Sequence, residues 1–352
     1  MKEKVILIGA GLTGLLTAYR LQELGYEVAV FEARDRIGGR IHTKHENDTT
    51  IEMGATWFND THLNLKRIIQ EFKVPYFEQF LQGTSFFQTF ANVPPQAITV
   101  PNDSPSYRFK LGTDSLLSAI ASKLKPNTIC LGTRVTGLNF NGSKVHLTTA
   151  THSLEADRVI STVPPALAIH DIKFTPSLAP EVVTVMKNTH TWMQDSIKIG
   201  LAYNAPFWRS KGFSGTIFSN VGPLTEFYDQ SNLERNSYAL VGFASGSCAQ
   251  LTKQQRIEKI ELQLKTVFGE EALDYIAYHE TLWFNKGYTK SSQQTDAVFP
   301  HQNGGHPVYQ RLFYGGKLLI SGAETSQFHP GYMEGAIWAA EAAVEKLQNS
   351  KR

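Results

Sequence analysis

The first 32 residues constrain the fold more than any other stretch. Lys4 to Ile8 is a short β-branched run that ends in glycine and reads as a fully buried strand. Gly9-Ala10-Gly11-Leu12-Thr13-Gly14 follows, a G-x-G-x-x-G turn. From Leu12 to Leu24 the apolar positions Leu12, Leu15, Leu16, Tyr19 and Leu24 recur at helical spacing, and Gly25 is the stop signal. Glu27 to Glu32 is a second strand, which completes a βαβ unit of a parallel sheet. The three glycines serve different physical ends. Gly9 makes the turn, Gly11 lets backbone approach a pyrophosphate, and Gly14 permits close helix–strand packing. The helix N-terminus at Leu12 and Thr13 offers free N–H groups to phosphate. Glu32 lies 23 residues after Gly9 (32 − 9), where an acid accepts from ribose hydroxyls. The predicted ligand is a dinucleotide, and NAD and FAD both suit this turn.

Composition narrows the rest. A chain of 352 residues exceeds one core of about 150, so two packed units are expected. Hydrophobic residues at 41% and charged residues at 19% exclude disorder. Lys and Arg number 34 against 32 Asp and Glu, so no large field steers nucleic acid or anionic lipid. Cys130 and Cys248 are too few and too far apart for a disulfide framework or a zinc cluster. No uncharged apolar run approaches the roughly 18 residues of a membrane span. Lys2 and Lys4 before an apolar run imitate a signal peptide, but the three glycines break the helix such a segment needs, and a cytoplasmic protein is expected.

Further along, Arg36 to Arg40 forms a second glycine turn, and Leu63 to Phe72 repeats a helical pattern. Tyr76 to Phe80 and Phe86 to Phe90, joined across Gly83, predict a β-hairpin. Residues 91–105, with Pro94, Pro95, Pro101 and Pro105, predict an irregular connection. Gly112-Thr113-Asp114 predicts the cap of a helix with Leu116, Leu117, Ile120 and Leu124 on one face. Thr133 to Phe140 and Lys144 to Thr149, turning at Asn141-Gly142, give the clearest hairpin. A helix is predicted near Gln254 to Phe268, closed by Gly269, and another with Ile337, Ala340, Val344 and Leu347 on one face. In Ser196 to Tyr203 the odd positions are large and apolar. Lys198 shares the opposite face with Ser196, Gly200 and Ala202, so that face meets either solvent or something flat and close. His42, His45 and His62 lack a convergent carboxylate or thiol and read as surface histidines, with no metal site predicted. Phe77, Phe80, Phe86, Phe87 and Phe90 suit either a substrate cavity or a hairpin core.

The segment Glu32-Ala33-Arg34-Asp35-Arg36-Ile37-Gly38-Gly39-Arg40 resembles the flavin-containing amine oxidase family, where E-A-R-x-R-x-G-G-R wraps FAD. Glu52-Met53-Gly54-Ala55-Thr56-Trp57 is similar to that family's segment beside the flavin. Leu319 to Thr325 and Gly331-Tyr332-Met333-Glu334-Gly335-Ala336 resemble its C-terminal flavin signature, and Thr133-Arg134-Val135 and Val159 to Pro165 follow in order. The resemblance implies a Rossmann-like α/β FAD-binding domain, discontinuous in sequence, with a smaller β-rich α+β substrate domain. Residues 1–79, 111–190 and 289–352 would form the first, and 80–110 and 191–288 the second. It implies FAD contacts from Gly9, Gly11, Leu12, Thr13, Gly14, Glu32, Ala33, Arg34, Gly38, Gly39, Arg40, Gly54, Ala55, Thr56, Trp57 and Val135. The C-terminal set is Gly322, Ala323, Glu324, Gly331, Tyr332 and Met333.

Two residues carry the implied chemistry. Lys198 matches the lysine that holds a water near the reactive flavin nitrogen, and Tyr332 matches one of two aromatics flanking the amine. With Trp283 and Tyr288 as landmarks, the second aromatic position falls on Gln293, and Ser292 stands where covalently flavinylated members have cysteine. The 31 residues of the first insertion (80–110) are far fewer than in larger members, which implies a more open cavity. The implied activity is hydride transfer from a C–H next to nitrogen of a small amine to FAD, with dioxygen reoxidising the flavin to give hydrogen peroxide. The incomplete aromatic pair and the phenylalanine cluster keep open a desaturase or oxidase of an apolar isoprenoid or porphyrin-like substrate; a non-catalytic binding protein on the same fold is a further alternative, against which the intact glycine and Glu32 set speaks. Because Ser292 has no thiol, acid precipitation should release all flavin into the supernatant and leave a colourless pellet; yellow retained in the pellet would contradict non-covalent binding.

Overall fold

The computed structural model describes residues 2–46, 49–101, 103–291 and 299–350. A six-stranded sheet runs in the order Ile129–Cys130, Glu27–Phe31, Lys4–Ile8, Arg158–Ser161, Leu318–Ile320, Leu312–Phe313. All neighbours are parallel except the last pair. Val5, Ile6 and Leu7 are inaccessible, as a central strand covered on both faces requires, which is why this strand is a continuous apolar run. Helices Leu12–Glu23 and Met333–Asn349 pack together on one face, burying Leu15, Leu16, Ile337 and Ala340 in one core. Thr13 Oγ1 donates to the Ala336 carbonyl at 2.9 Å and fixes their relative height. The other face carries Ile6 and Ile8 against Val135, Leu138, Val145 and Leu147 of a four-stranded sheet. In that sheet Val135–Asn139 and Val145–Thr149 pair antiparallel, as Asn141-Gly142 predicts.

A seven-stranded sheet supplies the second wall of the molecule. Its order is Tyr275–Leu282, Ile197–Tyr203, Tyr238–Ala244, Leu224–Asp229, Phe213–Ser219, Thr84–Gln88, Gln96–Ile98. Ile197, Ile199, Leu201 and Tyr203 face helix Lys253–Phe268 and pack with its Ile260, Leu264 and Phe268. The alternate face meets Ile51 and Met53 of the segment that follows the second glycine turn. That approach is close: a Cβ on Gly200 would stand 2.2 Å from Ile51 Cγ2. The even positions therefore face a packed layer and not solvent.

Several local expectations fail, most of them because the partner is distant in sequence. Tyr76–Glu78 and Thr84–Gln88 do not pair with each other. The first runs antiparallel to Ser106–Phe109, and the second parallel to Phe213–Ser219. Gly83, at φ +100°, lies against the Gly212 carbonyl, where a Cβ would be 2.5 Å away, so the chain passes between sheets instead of turning back. Its phenylalanines are not on the wall of the main cavity: Phe86 packs on Phe213 and Phe268, Phe77 and Phe80 lie under Arg108 and Arg209, and Phe90 is exposed. Residues 91–105 contain the strand Gln96–Ile98. Helix Asp114–Ala121 forms, but Thr113 provides no side-chain cap. Glu52 Oε1 instead accepts from the Thr113 N–H at 2.7 Å, and Thr43 Oγ1 from the Asp114 N–H at 3.3 Å.

Helix Leu63–Glu71 is capped in the same borrowed way. Glu334, buried in the first turn of the C-terminal helix, accepts from the Asn64 N–H at 3.1 Å and the Leu65 N–H at 2.7 Å. Glu334→Ala should lower stability by about 1–3 kcal/mol, because the buried Leu65 N–H and the partly buried Asn64 N–H lose their acceptor. The urea midpoint should fall with unchanged slope, and an unshifted midpoint would show that the cap is not worth this much.

Candidate active site

The carboxyl ends of the parallel strands and the alternate face of the seven-stranded sheet enclose a cavity of about 540 Å³. A crevice at the carboxyl ends is where parallel α/β sheets bind ligands. Gly9, at φ +108°, turns the chain, and its N–H donates to the Phe31 carbonyl at 2.7 Å. A Cβ on Gly14 would stand 2.0 Å from the Gly9 carbonyl oxygen, so Gly14 serves packing and is not on the cavity wall. Gly11 is different: a Cβ there would meet only the Gly38 carbonyl oxygen at 4.0 Å and would otherwise fill cavity space. Among the described residues no side chain caps the helix at Gly11, so its first N–H groups are available to an anion.

Glu32 sits buried on the wall beneath this turn. Its Oε2 accepts from the Ala10 N–H and its Oε1 from the Arg34 N–H, both at 2.9 Å, which leaves lone pairs on each oxygen for further donors. The second glycine turn lies beside the first, with the Gly38 N–H donating to the Ala10 carbonyl at 2.8 Å. Arg34 Nη2 reaches Thr289 Oγ1 at 2.9 Å. Arg40 makes a bidentate pair with Glu324, at 2.5 and 2.9 Å, and donates to the Trp192 carbonyl at 3.0 Å. Leu12, Thr13, Ala33, Gly38, Gly39, Gly54, Ala55, Thr56, Trp57, Val135, Ala323, Gly331 and Met333 also lie on the wall. Gly322 and Glu324 do not: the first forms a turn closed by Thr325, and the second stands behind Arg40 and Trp192.

Lys198 is fully buried on the wall. Its Nζ donates to Thr56 Oγ1 at 3.0 Å and the Gly54 carbonyl at 3.3 Å, and lies 4.3 and 4.2 Å from the ring centres of Trp57 and Phe243. Burial pushes its pKa down to about 7, partly opposed by the charges of Glu52 and Glu226. The amine is thus able to stand neutral in neutral solution. Tyr332 lies on the wall, exposed, with its ring stacked on His301 at 5.4 Å and 5.6 Å from Trp192. Ser292 and Gln293 lie outside the described residues, while Tyr288 is on the wall, its ring 5.5 Å from the Arg34 guanidinium.

Some wall residues escape sequence reasoning. His62 is not a surface residue: it is buried on the wall, its ring 5.2 Å from His329, and burial lowers its pKa. His42 is half-buried, and its imidazole is held down at about 4 by burial. Only His45 is exposed as expected. Among the described residues no group of His, Cys, Asp or Glu could hold a metal ion, and no helix is long and apolar enough to cross a membrane. Sequence reasoning does not reach Trp192, Phe243 or Glu226 at all. Strand alternation could have found Phe243 and Glu226, whereas nothing local marks Trp192.

The family model for flavin containing amine oxidoreductases matches residues 12–93 and 77–347. The chain belongs to this family. Among similar proteins, amine oxidase [flavin-containing] B of Mus musculus is 24% identical over 98% of this chain and 86% of its own length. Probable flavin-containing monoamine oxidase A of Dictyostelium discoideum is 22% identical over 99% and 98%. In structure, cyclohexylamine oxidase from Brevibacterium oxydans superposes with a TM-score of 0.86 at 20% identity, covering all of both chains. Putrescine oxidase bound to putrescine superposes with a TM-score of 0.84 at 20% identity, over 99% of each. The protein is an FAD-dependent oxidoreductase of the amine oxidase kind, with the α/β FAD-binding fold and a substrate domain.

The residues present fit FAD: Gly11 and the uncapped helix start form a cradle that a Cβ would fill, and the buried Glu32 has acceptor capacity to spare. Glu32→Ala should weaken FAD retention by about 1–3 kcal/mol, since the Ala10 and Arg34 N–H groups also lose their acceptor. Flavin release measured by ultrafiltration at graded protein concentration checks this; parent-like retention would remove Glu32 from the ribose role.

Proposed function

We propose that the protein oxidises a small amine at the C–H next to nitrogen, with non-covalently held FAD as first acceptor and dioxygen as second, giving an imine that hydrolyses and hydrogen peroxide. FAD, when bound, supplies the hydride-accepting centre. The chain supplies orientation, exclusion of water and one titratable amine. The division of labour follows the sequence: residues 1–79, 111–190 and 289–352 hold the cofactor, and 80–110 and 191–288 build the substrate side. Gly9, Gly11, Leu12 and Thr13 would hold the pyrophosphate, Glu32 the ribose, and the segment Gly54–Trp57 the reactive ring, all of them residues of the cavity wall.

The observation that carries this reading is Lys198, a buried amine on the cavity wall. Its hydrogen-bond partners among the described residues are Thr56 and a carbonyl of the flavin-side segment. As a neutral amine it can accept a hydrogen bond from a water; as an ammonium it has no lone pair and can only donate to one. Tyr332 offers a ring face against which the substrate carbon is held. The substrate nitrogen must be neutral so that its lone pair can form the C=N bond as the adjacent carbon gives up hydride, and a neutral Lys198 places no positive charge against the one that develops there.

Lys198→Met should leave FAD bound and slow flavin reduction or reoxidation by about 10²-fold or more, as loss of one preorganised polar group does. The sign of the pH effect follows from the lowered pKa: the neutral form prevails above about 7 and is lost as pH falls below it. Parent rates should therefore fall on the acid side of about 7, with that limb absent in Lys198→Met. Anaerobic mixing with substrate, followed by a separate dioxygen pulse, resolves the two half-reactions. Parent-like rates in both would leave Lys198 without a catalytic role.

A further inference from the structure

Three acids stand on the cavity wall: Glu32, Asp171 and Glu226. Glu32 lies 3.7 Å from Arg34 and accepts two backbone N–H groups, and Asp171 pairs with Arg134 at 3.0 Å. Glu226 has neither arrangement. It is exposed into the cavity, its Oε2 accepts from the Tyr228 hydroxyl at 3.1 Å, and no ion pair reaches it among the described residues.

Its position is fixed by sheet register. Lys198 pairs with Phe243, and Phe243 pairs with Glu226, so the three side chains stand in one row across neighbouring strands on the cavity face. Two strand spacings of about 4.8 Å separate the Cα atoms of Lys198 and Glu226 by roughly 10 Å. Between them lie aromatic surfaces: Phe243 in the row itself and Trp57 above it, with Trp57 packed 5.0 Å from Tyr228. An apolar floor thus leads from the reaction end, marked by Lys198 and Tyr332, to a single anion without a cation among the described residues.

We propose that Glu226 binds the distal ammonium of a substrate with two amine nitrogens, one oxidised in its neutral form beside Lys198 and Tyr332 and the other held as a cation by the Glu226 carboxylate. The methylenes between them lie on Phe243 and Trp57. With staggered torsions, a chain of about four to six carbons covers the gap. This specificity role rests on the amine-oxidation reading above and adds the substrate class, an α,ω-diamine or a longer polyamine. Tyr228 fixes the carboxylate's direction, as a polar group that recognises a ligand requires.

The test compares a series of α,ω-diaminoalkanes with n-alkylamines of equal chain length on the holoenzyme, using the anaerobic flavin-bleaching rate and kcat/KM. A charge-assisted contact predicts a parent preference for the diamine of about 10- to 100-fold. It should weaken with added salt, because Glu226 is exposed. Glu226→Gln should bring the diamine-to-monoamine ratio close to unity mainly through KM, and Glu226→Asp should keep part of the preference. A parent without diamine preference, or a ratio unchanged in Glu226→Gln, overturns the inference while monoamine bleaching upholds amine oxidation. Bleaching by neither series overturns the amine reading itself, and this inference with it.

Discussion

One buried guanidinium–carboxylate pair joins the parts of the chain that build the site. Arg40 ends the second glycine turn, Glu324 follows the strand Leu318–Ile320, and Trp192 precedes the strand that carries Lys198. The two nitrogens of Arg40 meet both oxygens of Glu324, while Glu324 Oε1 also accepts from the Trp192 N–H at 3.2 Å and Arg40 donates to the Trp192 carbonyl. Three segments separated by well over a hundred residues are thereby held in one register. Removing the Arg40 charge strands the buried Glu324 carboxylate, a change that typically costs about 3–5 kcal/mol. Bidentate geometry also fixes direction, which a lone lysine in place of Arg40 would not. Arg40 stands on the wall with Glu324 behind it, and the pair fixes the positions of Gly39, Trp192 and Ala323, which also line the cavity.

The second constraint is the closeness of two backbones. Gly54 packs where a Cβ would stand 2.1 Å from the Arg40 carbonyl oxygen, and Gly200 where one would stand 2.2 Å from Ile51. With those side chains absent, the Glu52–Trp57 segment lies flat on small positions such as Ala202 and Ala239 of the seven-stranded sheet. That contact removes Lys198 from water. Its hydrogen-bond partners, Thr56 and the Gly54 carbonyl, belong to the same segment that buries it. Packing and titration are consequently one property: the layer that positions the amine also desolvates it, and desolvation is the main cause of its lowered pKa.

Much of the cofactor half was legible because its signals are local. A strand, a glycine turn, a helix and an acid fall within one βαβ unit, and nothing distant is needed to predict where Gly11 or Glu32 will face. The hairpin of Val135–Asn139 and Val145–Thr149 is legible for the same reason, a turn at Asn141-Gly142 between adjacent strands. The failures lie where partners are far away in sequence. Thr84–Gln88 finds Phe213–Ser219, and Glu52 and Glu334 cap helices that their own neighbours leave uncapped. His62 reads as a polar residue ahead of a helix, and only the fold sets it beside His329 and Tyr332. Strand alternation alone could have put Glu226 on one face of its strand, but its place in a row with Phe243 and Lys198 depends on register across two strand pairs, which no window of sequence contains.

The charges on the cavity wall divide it into two ends. Arg34, the uncapped helix start at Gly11 and the paired glycine turns make one end suited to phosphate. At the sheet end Glu226 is the acid without a cationic partner, among the described residues, and the rings of Trp57 and Phe243 lie between. Lys198 stands at the boundary, where a permanent positive charge would repel a cationic amine. Its rings and the carboxylates of Glu52 and Glu226 favour the ammonium, but burial outweighs them. Among the described residues no carboxylate touches Nζ, and only one hydroxyl and one carbonyl accept from it. A contacting acid at that position would have fixed the lysine as a cation and closed the route to amines. The acid lies two strands away instead, which leaves Lys198 able to lose its proton.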